Sequence, residues 1–330
     1  MFLDASGETV FYMRRVEGRD TLFMFRPDLH GGDHHAILSQ SLDAINAWQC
    51  PGRCVVLCDR WPAGAPHLKF KFFDMARIGH LLERQAVKIH ELLTDVPMLT
   101  TLSPEHRPLP PEIYDMIKGE VVVAPGKAPF DDAVVRPALF VFDGKDATAR
   151  AEPLSFLRPT DLPSRVYRDP SGARLWLTMG DSCHLFVLDA STYELAGDII
   201  WPVDEQALAR LAFHPIRPEA WVATLSSVRV YDRGSLKLLR EISIAPELRW
   251  HRGDRVKGLV GALAFSADGK RALVARPLHG DVLELDTASF ATVKSHATFV
   301  DPLELVVASR GNRVYLQGMR AGQVSWMPWT

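Results

Sequence analysis

The stretch Arg249-Trp250-His251-Arg252-Gly253-Asp254-Arg255 gathers three arginines, an imidazole, an acid and an aromatic ring into seven residues. Such a mixture suits recognition of an anionic or peptide ligand, or else forms a solvated connection whose charges pair locally. His184, His251 and His279 are three imidazoles that could hold a divalent metal such as Zn²⁺ with one position left open. They lie far apart in the chain, so the metal expectation rests on the fold bringing them together; the alternative is three loop histidines with solvent or backbone partners. His30-Gly31-Gly32-Asp33-His34-His35 suggests a metal site, but adjacent side chains of an extended segment point to opposite faces, so a solvated turn is expected there. Cys50, Cys54 and Cys58 do not have zinc-ribbon spacing and read as buried apolar side chains. No Gly-rich phosphate loop, nucleophile elbow, H-E-x-x-H or dinucleotide fingerprint occurs. A catalytic site would have to be assembled from separate parts of the chain.

The elements that could do so are short strands. Long amphipathic helices are nearly absent, and β-branched and aromatic runs are punctuated by Gly, Asp and Pro every eight to twelve residues or so. One pattern recurs, an alternating apolar strand that stops at aspartate: TLFMFRPD at Asp28, LKFKFFD at Asp74, ALFVFD at Asp143, LFVLD at Asp189, VRVYD at Asp232 and VLELD at Asp286. The intervals are 46, 69, 46, 43 and 54 residues, and QVSWMP places Pro328 in the same phase 42 residues later. Periods in the forties with about four strands each predict a β-propeller, here seven four-stranded blades in a single domain over 1–330. The last blade is expected to be incomplete or closed by the N-terminal residues. A Pro-rich insertion at about 104–137 should be a surface loop, with a helical turn or two at 111–118.

The stretch 262–293 is the clearest blade: strand A at 262–265, a Ser-x-Asp-Gly turn at 266–269, strand B at 271–275, strand C at 281–285, then Asp286-Thr287-Ala288-Ser289 turning into strand D. In these turns the sequence resembles the YVTN/WD40-like propeller superfamily. Asp268-Gly269 and Asp286-Thr287 match, while Ala267 and Ser289 replace a proline and a threonine of that pattern. The resemblance implies the fold and leaves function open, because propellers host unrelated activities. Phe213-His214-Pro215 is similar to a tripeptide of propeller lactonases of the phosphogluconolactonase type. The Gly-Pro-Arg-His stretch expected before it is absent.

In a propeller the B–C and D–A loops open on one face, the usual ligand face. The ends of strand B carry Arg15, Arg60, Lys127, Arg276 and Arg320 in phase, a cation in five of seven blades. A ring of guanidinium groups would trap carboxylate or phosphate; alternatively each pairs with a neighbouring acid such as Glu17, Asp59 or Asp281. The expected ligand contacts are thus Arg15, Arg60, Arg249, His251, Asp254, Arg255, Arg276 and Arg320. The expected function is capture of an anionic small molecule or an acidic peptide or protein segment. The alternative is a lyase or lactone hydrolase acting on a carboxylated small molecule, its metal on His184, His251 and His279.

Composition sets the remaining bounds. The 330 residues carry 38 basic and 40 acidic side chains, a net charge of −2, so the chain as a whole presents no field for nucleic acid. No apolar run reaches the roughly 20 residues of a bilayer span, and the N-terminal residues read as strand rather than leader. Four cysteines are too few for a disulfide scaffold of this size. A cytoplasmic protein with neither nucleic-acid nor membrane partner is expected, and no cofactor is firmly implied beyond that possible metal.

Overall fold

The structure, a computed structural model, describes the strands of residues 2–153 as backbone. From residue 154 it describes backbone and side chains except at 158–162, 181–182, 206–208, 247–257, 299–300, 309–311, 319–323 and 330, where only two short strands are given. The chain divides into two compact units, Met1–Pro159 and Thr160–Thr330.

In the first unit, β1 (Phe2–Leu3), β2 (Val10–Val16), β3 (Arg19–Phe25) and β4 (His34–Ser41) form a four-stranded antiparallel meander. His34 and His35 are the first two residues of β4, paired opposite Phe25 and Met24, so they belong to a strand and not to the solvated turn expected there. After it come β5 (Arg53–Cys58), β6 (Leu68–Phe73), β7 (Ile117–Val123), β8 (Ala138–Asp143) and β9 (Thr148–Pro153). Here the sequence pattern and the pairing part. β5 pairs with β8 in register from Arg53 opposite Asp143 to Cys58 opposite Ala138, and β8 pairs with β9. Strands assigned to two successive blades therefore share one sheet. β6 pairs instead with β7, a strand inside the Pro-rich stretch where a loop and helical turns were expected. Pro111 and Pro125 flank the Ile117–Val123 run without interrupting it, so its three successive valines are free to join a ladder.

The second unit is a run of propeller blades. β10 (Pro163–Arg168), β11 (Arg174–Met179), β12 (His184–Asp189) and β13 (Leu195–Ile200) form one four-stranded sheet. β14 (Arg210–Phe213), β15 (Glu219–Ala223), β16 (Ser227–Asp232) and β17 (Leu238–Ser243) form the next. A two-stranded hairpin, β18 (Leu248–Arg249) and β19 (Arg255–Val256), leads to β20 (Leu263–Phe265), β21 (Arg271–Arg276), β22 (Asp281–Asp286) and β23 (Thr292–Ala297). β24 (Pro302–Val307), β25 (Arg313–Gly318) and β26 (Val324–Pro328) make a three-stranded sheet. The chain is an all-β propeller of four-stranded blades. Four such sheets are complete among the described residues, not the seven that the period predicted.

Burial follows strand order. The second and third strands are buried along nearly their whole length, because neighbouring blades cover both faces. The fourth strands β17 and β23 are almost entirely exposed. Each core lies between two blades. Trp176, Leu185 and Val187 of one blade meet Ala209, Leu211, Ala220 and Val222 of the next. Trp221, Val228 and Val230 pack with Leu263, Ala272 and Val274, and Leu273 and Val282 with Leu305, Val314 and Leu316.

The periodic aspartate has a local cause. Asp286 accepts the N–H groups of Ala288 (3.1 Å) and Ser289 (2.8 Å), and its own carbonyl accepts the N–H of Phe290 (2.8 Å). Asp189 and Asp232 repeat this with Ser191 and Thr192, and with Ser235. The Ser191 hydroxyl with the Thr192 and Ser191 N–H groups holds the Asp189 carboxyl at about 2, and the N–H and hydroxyl of Ser235 and of Ser289 hold Asp232 and Asp286 below the usual range. The turn throws the fourth residue after aspartate into the left-handed region: Tyr193 at φ 63°, Leu236 at 60° and Phe290 at 61°. The Leu236 and Phe290 side chains reach the preceding blade, Leu236 packing against the core around Trp176 and Phe290 stacking on Trp221 at 5.6 Å.

Two glycines separate backbone strain from crowding. Gly269 (φ 69°) closes the Ser266–Gly269 turn, and a Cβ there would meet the His214 ring at 2.5 Å. At Gly280 (φ 68°) a Cβ would meet nothing within 4 Å. Gly280→Ala is expected to cost about 1 kcal/mol and Gly269→Ala at least about 1 kcal/mol more, measured by denaturant unfolding. Equal losses would show that the Gly269–His214 contact imposes no constraint.

Candidate functional site

Propeller ligands are met at the inner edge, which the first strands form. Each first strand ends in a turn closed by a backbone hydrogen bond: Asp169 N–H to Arg174, His214 N–H to Glu219, Ser266 N–H to Arg271 and Ala308 N–H to Arg313. Counting four residues back from each closure gives equivalent positions, Arg165, Arg210, Ala262 and Glu304. Three of these four side chains meet. Glu304 Oε1 lies 2.6 Å from Arg165 Nη2, 2.9 Å from Arg210 Nη2 and 3.1 Å from Arg210 Nε, and Arg165 Nη1 donates to Glu304 Oε2 at 3.3 Å. One carboxylate thus joins the first, second and fourth blades of this unit. It does so past the third, where Ala262 contributes only a methyl group.

The cluster sits at the start of its strands, the side on which the D–A connections open. Its exposure is graded. The Arg165 side chain is 42% exposed, Glu304 16% and Arg210 9%. Burial works against the Arg165 charge, but Glu304 and Tyr167 more than offset it, so its pKa is raised. Tyr167, two residues along β10 and on the same face, hydrogen-bonds Arg165 and the Leu211 backbone. Burial pushes its phenol pKa up and keeps it protonated.

Arg210 Nη1 is buried and has no hydrogen-bond partner among the described residues. Other buried donors without partners include Trp176 Nε1 in a core and the Nε atoms of Arg229 and Arg233. Those two guanidiniums are otherwise engaged, with Glu241 at 2.7 Å and Asp169 at 3.1 Å. Among the described residues, only Arg210 Nη1, a guanidinium NH2, combines a partnerless two-proton donor with a place on an inner strand, and among the three cluster charges the balance is one positive.

The residues singled out from sequence fare differently. Arg276 closes β21 as expected, but Asp281 takes its Nε at 2.8 Å and also its Nη2, while Nη1 donates to the Ile244 carbonyl at 3.0 Å. It therefore links its own loop to the exit of the preceding blade. Asp281 additionally accepts from Ser295 at 2.6 Å, and its pKa is lowered: the bonds from Arg276 and Ser295 outweigh its burial. At the matching place one blade earlier, Ser226 N–H donates at 2.8 Å to the buried Glu205, which also takes Thr224 Oγ1 at 2.9 Å. His184 Nε2 lies 2.8 Å from Asp198 on the neighbouring outer strand. Both ring nitrogens of His279 are buried without partners among the described residues, and burial followed by the Arg276 charge lowers its pKa. No group of three metal-ligating side chains forms among the described residues. Arg249 and Arg255 are register partners in the β18–β19 hairpin, and Arg15 stands opposite Asp20. Arg60, His251, Asp254 and Arg320 lie outside the described residues.

Phe213-His214-Pro215 has a structural role. His214 Nδ1 accepts the N–H groups of Ile216 (3.1 Å) and Arg217 (2.9 Å), so the ring proton is on Nε2, which donates to the Gly269 carbonyl of the next blade at 2.9 Å. Both nitrogens are spent on backbone.

No family model matches the chain, and no curated protein matches it. Among solved structures it is similar to Kuenenia stuttgartiensis hydrazine synthase at 19% identity and a TM-score of 0.42, over 50% of this chain and 46% of that one. It is also similar to a mitotic checkpoint complex chain (12%, TM-score 0.43, 58% and 54%) and to dihydro-heme d1 dehydrogenase NirN in complex with DHE (14%, 0.43, 58% and 39%). The chain spans about half the length of these proteins or less. Among the described residues, no helix is long and apolar enough to cross a membrane.

Burial, then the Arg217 charge, depresses the His214 pKa below 6.5. The unfolded chain binds a proton near pH 6.5 that the folded chain refuses, so stability is complete above that pH and falls as pH drops through it. The unfolding midpoint should decline between pH 7.5 and 5.5, with a smaller decline in His214→Gln. A flat wild-type profile would contradict the neutral assignment.

Proposed function

We propose that this propeller is a binding protein that captures a carboxylate of an anionic ligand at the inner edge of its blades, with Arg210 and Arg165 as the principal contacts. The observation that carries the reading is the buried, partnerless Nη1 of Arg210 beside a second guanidinium. A buried donor left unmade costs about 1–3 kcal/mol, which an incoming carboxylate would recover. Planar guanidiniums suit that group, and charge-assisted bonds strengthen where water is excluded.

The reading moves the expected ligand site from the ends of strand B to the starts of strand A, on the same side of the blades. Arg249 and Arg255 belong to the D–A connection on that side, and we assign their hairpin an accessory contact with the ligand. An acidic peptide segment is the ligand best suited to an inner cluster supplemented by a cationic hairpin. The Ser266–Gly269 and Asp286–Ser289 turns, with their side-chain-to-backbone bonds, support membership of the YVTN/WD40-like superfamily. Seven blades remain the count favoured by the sequence period. The lactonase reading is weaker, because His214 faces neighbouring backbone.

The test is titration with a glutamate-rich blocked peptide by calorimetry. Wild-type affinity should fall at least tenfold between roughly 50 and 500 mM salt, and Arg210→Gln should lose at least tenfold at low salt. Equal affinities for wild type and Arg210→Gln would overturn the assignment.

A further inference from the structure

We infer that Glu304 sets the charge class of the ligand by acting as a resident counter-ion, so that the site accepts one carboxylate and rejects doubly charged oxyanions. The inference deepens the proposed function and rests on it.

The argument is one of counting and place. Glu304 occupies the position equivalent to those of Arg165 and Arg210 on its own inner strand, and it bonds both guanidiniums at once. Its carboxylate is held by Arg165 through both oxygens and by Arg210 through Nε and Nη2. These bonds leave Arg210 Nη1 as the buried donor without a partner among the described residues. A carboxylate binding there brings the three described charges to neutrality. A dianion would add a second negative charge next to Glu304, where the burial of Glu304 and Arg210 weakens screening and like charges repel. Glu304 thereby fills the place that the second charge of a dianion would take.

The backbone keeps this arrangement close. Ala262 N–H donates to the Leu303 carbonyl at 2.9 Å, and a Cβ on Gly261 would meet that same carbonyl at 2.7 Å. β20 and β24 therefore approach directly beside Glu304. The absence of a Cβ at 261 and the single methyl at 262 let Arg210 and Glu304 meet across the third blade.

The experiment uses acetate and sulfate as probes, titrated against the full chain at pH 7.5 and low ionic strength, with binding read by calorimetry and by the shift in unfolding temperature. Wild type should bind acetate more tightly than sulfate. Glu304→Gln raises the cluster from one net positive charge to two and should reverse the order, tightening sulfate at least tenfold. Arg165→Gln lowers the cluster to zero net charge while leaving the Arg210–Glu304 pair intact, and should weaken acetate at least tenfold. This second variant retains a paired Glu304, so the charge count is tested even if Glu304→Gln fails to fold. An unchanged acetate-to-sulfate preference across the folded variants would overturn the role of Glu304 and leave anion capture standing. Binding of neither probe by wild type would overturn the proposed function itself.

Discussion

The bridge from Glu304 to Arg165 and Arg210 is the interaction on which the inner edge of the second unit depends. Three strands that have no ladder between them bring ionised side chains within 2.6–3.1 Å. Removing such charges from water costs several kcal/mol per ion, so the arrangement persists only where each charge finds a partner of opposite sign. Two guanidiniums on one carboxylate leave part of that demand unmet, at Arg210 Nη1. The proposed carboxylate capture answers that one deficit.

The remaining construction brings the strands to this meeting. Cores between consecutive blades fix spacing, with Trp176 and Trp221 fully buried at successive interfaces. The turns away from the candidate site pin blade to blade through polar groups. His214 bonds the Gly269 carbonyl, Arg217 bonds the Thr287 carbonyl at 2.9 Å, and Arg233 reaches Asp169 at 3.1 Å. On the opposite side, the exit of each fourth strand is held by the loop between the second and third strands. Cys183, Ser226 and Gly280 carbonyls accept from Trp201, Ile244 and Thr298 respectively. Arg276 belongs to this framework, which is why a phased cation proved to be a structural link.

Much of the blade architecture was legible in the sequence because its cause is local. The recurring aspartate marks a turn in which one carboxylate caps two or three N–H groups, and that turn needs only a few adjacent residues. The strands of the 262–293 blade fall within a residue or so of their expected limits, since apolar runs and turn residues bound them on both sides. Pairing partners in the first unit were not legible. LKFKFFD and ALFVFD look alike as strings, and only the non-local register joins β8 to β5 while sending β6 to β7. The candidate site was missed for a related reason. Like charges repeat at the ends of strand B, whereas the phase that matters is the fourth residue before the first turn of each blade. Arg165, Arg210 and Glu304 stand there without any shared motif, and their opposite signs hide the repetition from a search for like residues.

A double-mutant cycle between Arg210 and Glu304 tests the central interaction most directly, using denaturant unfolding of wild type, Arg210→Gln, Glu304→Gln and the double variant. The account predicts a coupling energy above about 1 kcal/mol, as expected for charged side chains in contact. Additivity to within about 0.5 kcal/mol would contradict it, because two side chains that do not sense one another cannot form the bridge at the inner edge.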